Sequence, residues 1–70
     1  MISYEPFWKT IKAKSLSSYA LVKKLNVSES LLYRMRKGKP MTTTTIDDLC
    51  RVLNCDVQDI LCYLPNNEEK

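Results

Sequence analysis

Between Pro6 and Leu61 the apolar side chains fall at helical spacing, and that periodicity limits the possible folds more than any other feature of the chain. Ile46, Leu49, Cys50 and Leu53 recur at i, i+3, i+4 and i+7, the inward stripe of one helix, with Thr42 as its cap. Phe7, Trp8 and Ile11 mark a buried face that runs from Pro6 to about Lys14; a proline suits a first helical turn because its missing N–H would be unpaired there anyway. Leu21, Val22 and Leu25 repeat that spacing behind Ser17 or Ser18, whose hydroxyls can accept from an orphan backbone N–H. Ser28 caps a third helix, docked by Leu32 and Met35 and ended by Gly38. Asp56 and Asp59 resemble a capping box for a fifth short helix burying Val57, Ile60 and Leu61. The expectation is an all-α chain of five short helices. At its ends, Ile2 and Tyr4 alternate with polar residues and Cys62-Tyr63-Leu64 is an apolar run before Pro65, so these segments can pair as a tiny two-stranded ladder. The polar tail 66–70 is expected to fray.

Seventy residues make one domain, 1–70, whose small core supplies only about 3–5 kcal/mol of net stability. A deep substrate cleft with a catalytic shell has no room in it, and binding is favoured over catalysis. With no histidine, a nucleophile–base pair would need Cys or Lys, and none is spaced to meet on one helix face away from the core. The chain is therefore read as no enzyme, with no cofactor. Cys50, Cys55 and Cys62 show no C-x-x-C spacing, so they are expected to be buried, reduced thiols rather than metal ligands. No basic-then-apolar leader opens the sequence, and no apolar run approaches the roughly 20 residues of a membrane span. The expected setting is cytoplasmic, with neither metal nor membrane as partner.

The net charge of +3 hides a polarity. Residues 1–40 carry nine Lys or Arg against two Glu, whereas residues 41–70 carry two basic side chains against six acidic ones. A one-sided basic surface is the footprint of a phosphate binder.

That basic half contains the informative stretch, Leu16 to Lys39. Two short helices meet at Asn26-Val27-Ser28: a residue tolerant of a left-handed backbone, an apolar plug, and a cap. Leu21 packs the first helix, and Leu32 with Met35 docks the second, leaving Glu29, Ser30, Tyr33, Arg34 and Lys37 on the other face. The segment, about 18–37, resembles the Cro/cI-type, or XRE-like, helix–turn–helix. The likeness continues through Gly38-Lys39 and through Thr42 to Leu61, covering residues 6–64. Val22 stands where the family usually has Ala, Asn26 where it has Gly, Ser18 where many members have Gln, and Tyr33 where a small residue is usual.

The resemblance implies a lambda-repressor-like domain that binds double-stranded DNA with the helix from about Ser28 to Lys37 in the major groove. Ser28, Glu29 and Ser30 would lead into the groove, Arg34 would contact guanine and Tyr33 a thymine methyl or a phosphate. Ser18, Lys37, Lys39 and Lys23 would hold the backbone. Such regulators pair on two half-sites, so a homodimer is expected, with Ile2, Tyr63 and Leu64 as candidates for the seam. The competing reading is a protein-interaction module of the same fold, anchored by Tyr19, Leu31 and Tyr33.

Overall fold

The computed structural model describes residues 1–65; the tail expected to fray, 66–70, lies outside them. In chain order the elements are β1 (Ile2–Ser3), α1 (Glu5–Ala13), α2 (Ser18–Leu25), α3 (Glu29–Arg36), α4 (Thr43–Leu53), a 3-10 turn (Val57–Asp59) and β2 (Cys62–Tyr63). The terminal ladder forms as read: β1 and β2 are antiparallel, Ile2 opposite Tyr63 and Ser3 opposite Cys62. Leu64 N–H donates to the Met1 carbonyl at 2.7 Å and lengthens it by one rung.

Local sequence explains where each helix begins. Pro6 and Glu5 occupy the first turn of α1, where a missing N–H is harmless and a negative charge is favoured. Ser17, rather than Ser18, caps α2, its hydroxyl accepting from Ala20 N–H at 3.1 Å. Thr42 caps α4 by accepting from Thr45 N–H at 3.2 Å. Each α-helix is followed by a left-handed residue: Ser15, Asn26, Gly38 and Asn54. After three of them, an N–H one residue further on reaches back five positions: Leu16 to Ile11, Lys39 to Arg34 and Cys55 to Cys50, at 2.8–3.0 Å. These bonds satisfy carbonyls that a helix end otherwise leaves orphaned.

Phe7, Leu21 and Ile60 are fully buried, and Tyr4, Ile11, Val27, Leu31, Leu32, Met35, Leu49 and Leu53 close around them. Tyr4 had been read only as part of the alternating N-terminal segment. Its ring belongs to the core, and its hydroxyl donates to the Lys39 carbonyl at 2.7 Å. Trp8 is half-buried rather than a full core anchor: it meets Phe7 edge-on, ring centres 4.9 Å apart, and leaves its other side open.

The expected fifth helix is the main correction. The described residues form four α-helices, and the segment after Asp56 makes a single 3-10 turn. Asp59 does accept from Asp56 N–H at 3.1 Å, one arm of the anticipated capping box. Thr10 Oγ1 then donates to the Asp59 carbonyl at 2.8 Å, tying this turn to α1. Ile60 is fully buried and Leu61 partly so, but Val57 is 53 % exposed. The apolar pattern there has the inward residues of a helix without the length. Only three residues separate the cap from Ile60, and the backbone must then extend into β2. The three cysteines are free and half-buried rather than fully enclosed.

Candidate nucleic-acid interface

The corner between α2 and α3 is built as its residue types require. Asn26 adopts φ 60° and ψ 32°, and the N–H groups of Asn26 and Val27 both converge on the Leu21 carbonyl. Val27 is buried as the plug. Ser28 Oγ accepts from Ser30 N–H at 3.1 Å and from Leu31 N–H at 3.3 Å, satisfying two orphan donors of α3. Ser28 Oγ also lies 2.9 Å from Ser30 Oγ. One hydroxyl proton is consumed between them, which leaves the pair one O–H to offer outward.

Leu31, Leu32 and Met35 form the inner face of α3. Leu31, at 9 % exposure, is core, so it is removed from the set of exposed anchors. Ser28, Glu29, Ser30, Tyr33, Arg34, Lys37 and Lys39 are all exposed. At 3.6 residues per turn, Ser30, Tyr33 and Lys37 lie opposite the buried stripe, with Arg34 and Glu29 on its two flanks. Tyr33 is 57 % exposed, and the Lys37 ammonium lies 5.6 Å from its ring centre, a cation–π contact that keeps both groups on the outer surface. Lys39 is set by Gly38, whose φ of 73° turns the chain so that Lys39 N–H caps the Arg34 carbonyl.

The flanks differ. On one side a cleft of about 240 Å³ separates Arg34, Ser28 and Leu31 from Thr45, Asp48 and Val52. An acidic side chain of α4 therefore stands on the arginine's side, although Asp48 is itself ion-paired with Arg51. On the other side Ser18, Tyr19, Lys23, Glu29 and Arg36 line a cleft of about 450 Å³. There Arg36 Nη2 donates to Ser18 Oγ at 2.8 Å, and the guanidinium sits 5.1 Å from the Trp8 ring centre. Arg36 thus braces α3 against both α2 and α1. In the sequence Arg36 stands out only as one of the nine basic side chains of residues 1–40. The brace could have been found only by knowing that Trp8 is half-open, because the three partners are far apart in the chain.

The candidates for a dimer seam also come together. Ile2, Tyr63 and Leu64 are exposed on the terminal ladder, and Ile2 and Leu64 share a cleft with Lys37 and Gly38 at the end of α3. Among the described residues no three His, Cys, Asp or Glu side chains cluster as a metal site. No helix in that range is long and apolar enough to cross a membrane.

Residues 7–66 match the model of the Cro/C1-type HTH DNA-binding domain. The chain belongs to that family. The Cro/C1-type domain is also similar to a solved structure described as transcriptional regulator VanUg, with a TM-score of 0.79 and 29 % identity, covering 93 % of this chain and 87 % of that one. No curated protein matches the chain. The matched span includes α2, α3, α4 and all of α1 but its first two residues, and α2 and α3 are its helix–turn–helix. A capped, exposed, cationic helix of this kind presents hydroxyl and guanidinium donors of the type that pair with base edges, flanked by ammonium groups that neutralise phosphates.

Proposed function

We propose that this Cro/C1-type domain is a transcriptional repressor that reads a short double-stranded operator sequence as a homodimer, with α3 in the major groove. The observation that carries the reading is the outer face of α3: Ser30, Tyr33, Arg34 and Lys37 are exposed on a helix held from behind by Leu31, Leu32 and Met35. Arg34 makes the guanine contact, worth about 1–3 kcal/mol of discrimination, while Ser30 and Glu29 read the adjacent bases. Lys37, Lys39 and Ser18 hold phosphates; Ser18 already accepts from Arg36, so its own O–H is the group that donates. Ser28 acts mainly as the cap. Pairing through Ile2, Tyr63 and Leu64 joins two domains beside the C-terminal ends of their α3 helices and lets the pair span half-sites ~34 Å apart. The protein works in the cytoplasm as a binder without catalysis or cofactor.

Selection of bound sequences from random duplex DNA tests this directly, and a recovered motif with two-fold symmetry is expected. With about five phosphate contacts, the affinity should fall with salt at a log–log slope of roughly −4 to −5. Arg34→Ala should relax the preference at one base position, whereas Lys37→Ala should weaken all sequences alike and reduce the slope by about 1. Equal effects of the two substitutions would remove the base-reading role from Arg34. No retention of DNA at low salt would favour a protein partner instead, but that reading has lost Leu31 as an anchor and keeps only Tyr19 and Tyr33.

A further inference from the structure

The C-terminal turn of α4 brings two cysteines together by backbone geometry. Asn54 turns left-handed at φ 55°, and Cys55 N–H then bonds the Cys50 carbonyl at 3.0 Å. This is the helix-ending motif in which the two residues joined by the long-range bond also touch through their side chains, usually as an apolar pair. Here both are thiols. The path Cα–C=O···H–N–Cα across that hydrogen bond caps their Cα separation at roughly 7 Å, close to the upper limit for a disulfide. Cys50 and Cys55 also line one open groove of about 660 Å³, beside Thr43, Asp47, Asp56 and Val57, so a small reagent has access to both. Cys62 is not part of that lining.

We propose that Cys50 and Cys55 form a modification site, a dithiol that a peroxide converts to an intramolecular disulfide across the end of α4. One thiolate attacks the peroxide: an S–O bond forms, the O–O bond breaks, and hydroxide leaves to be protonated to water. The second sulfur then attacks the sulfenic acid, forming S–S and breaking S–O, with release of a second water. Two thiols and one hydrogen peroxide give one disulfide and two waters. A small thiol of the glutathione class reverses the step by exchange. Oxidation is favoured over zinc capture because no third donor joins the pair among the described residues. Burial first, then Cys50 and Asp59, push the Cys55 thiol up, against a smaller opposite pull from Lys14, which slows its attack on a peroxide.

The reduced, folded protein is treated with dilute hydrogen peroxide, alkylated with a maleimide, and examined by mass spectrometry before and after trypsin. The expected product is a monomer lighter by about 2 Da with a single alkylated thiol. Trypsin cuts after Arg51, between the two cysteines, so the bridge should appear as a cross-linked peptide pair. Cys62→Ser should leave that cross-link intact, while Cys50→Ser and Cys55→Ser should each abolish it. Because the Cys62→Ser protein keeps both groove thiols, it decides the matter even if a groove variant fails to fold. A bridge that uses Cys62, covalent dimers in place of the internal bridge, or sulfinic acid at Cys50 or Cys55 without a bridge would each overturn the assignment.

Discussion

Ser15, Asn26 and Asn54 hold left-handed backbones without being glycine, and each stands just beyond a helix. An L-residue with a Cβ is strained there by about 1–2 kcal/mol, less for Asn, whose short amide hydrogen-bonds locally. The costs are accepted because the turns they make bring Leu16, Val27 and Cys55 back onto the helices they follow. Ser15 has the weakest excuse for its φ of 59°. Ser15→Gly should therefore stabilise the domain by about 0.5–1 kcal/mol, the relief of strain exceeding the added freedom of the unfolded chain. Asn26→Gly should be tolerated, and Asn26→Val should cost about 1 kcal/mol or more, because a β-branched residue resists that region of backbone space. Thermal melts of the three variants check both the sign and the order.

At the level of elements, the turn after Asp56 separates two kinds of apolar residue that the sequence makes look alike. Ile60→Ala should cost about 2–5 kcal/mol, enough to unfold most of the population of a domain this small. Val57→Asn should shift stability by less than about 0.5 kcal/mol, since about half of the residue is already in water. Chemical denaturation of the pair would expose a hidden fifth helix if both proved severe. The contrast explains how far the fold was legible. Helices α1 to α4 were readable because each combines an apolar stripe with a start signal, Pro6 for α1 and a hydroxyl cap for the others, and the turn at Asn26 because a left-handed residue, a plug and a cap follow in order. The last turn was over-read because Val57, Ile60 and Leu61 satisfy helical spacing over too few residues to prove a helix. For α3, the exposed face followed from its period, whereas Leu31 sits at the edge of the apolar stripe, and only packing shows it to be core. The Arg36 brace did not, since it depends on Ser18 and on the open side of Trp8, and no local pattern encodes a contact across 18 or 28 residues.

Across the whole molecule, the division of charge along the chain is less clean in space than in sequence. Asp48 belongs to the acidic half yet faces the cleft beside Arg34, with Arg51 taking up its charge. The stability of the domain should also respond to alkali through Cys55. Burial, followed by Cys50 and Asp59, raises its pKa, so the folded state holds the thiol proton more firmly than the unfolded chain does. That contribution is complete below the ordinary thiol range and is lost as pH rises through the raised value. Denaturation midpoints measured across about pH 8 to 10 should fall less steeply for Cys55→Ser than for the parent protein. Finally, because Ile2 and Tyr63 are rungs of one ladder, residues near the two ends of the described chain lie side by side. A short peptide bridge there, with the chain reopened between Pro40 and Met41, gives a circular permutant in which α4 is translated first and α3 last. Its far-ultraviolet circular dichroism should match that of the parent, since the order of synthesis changes and the neighbours in space do not.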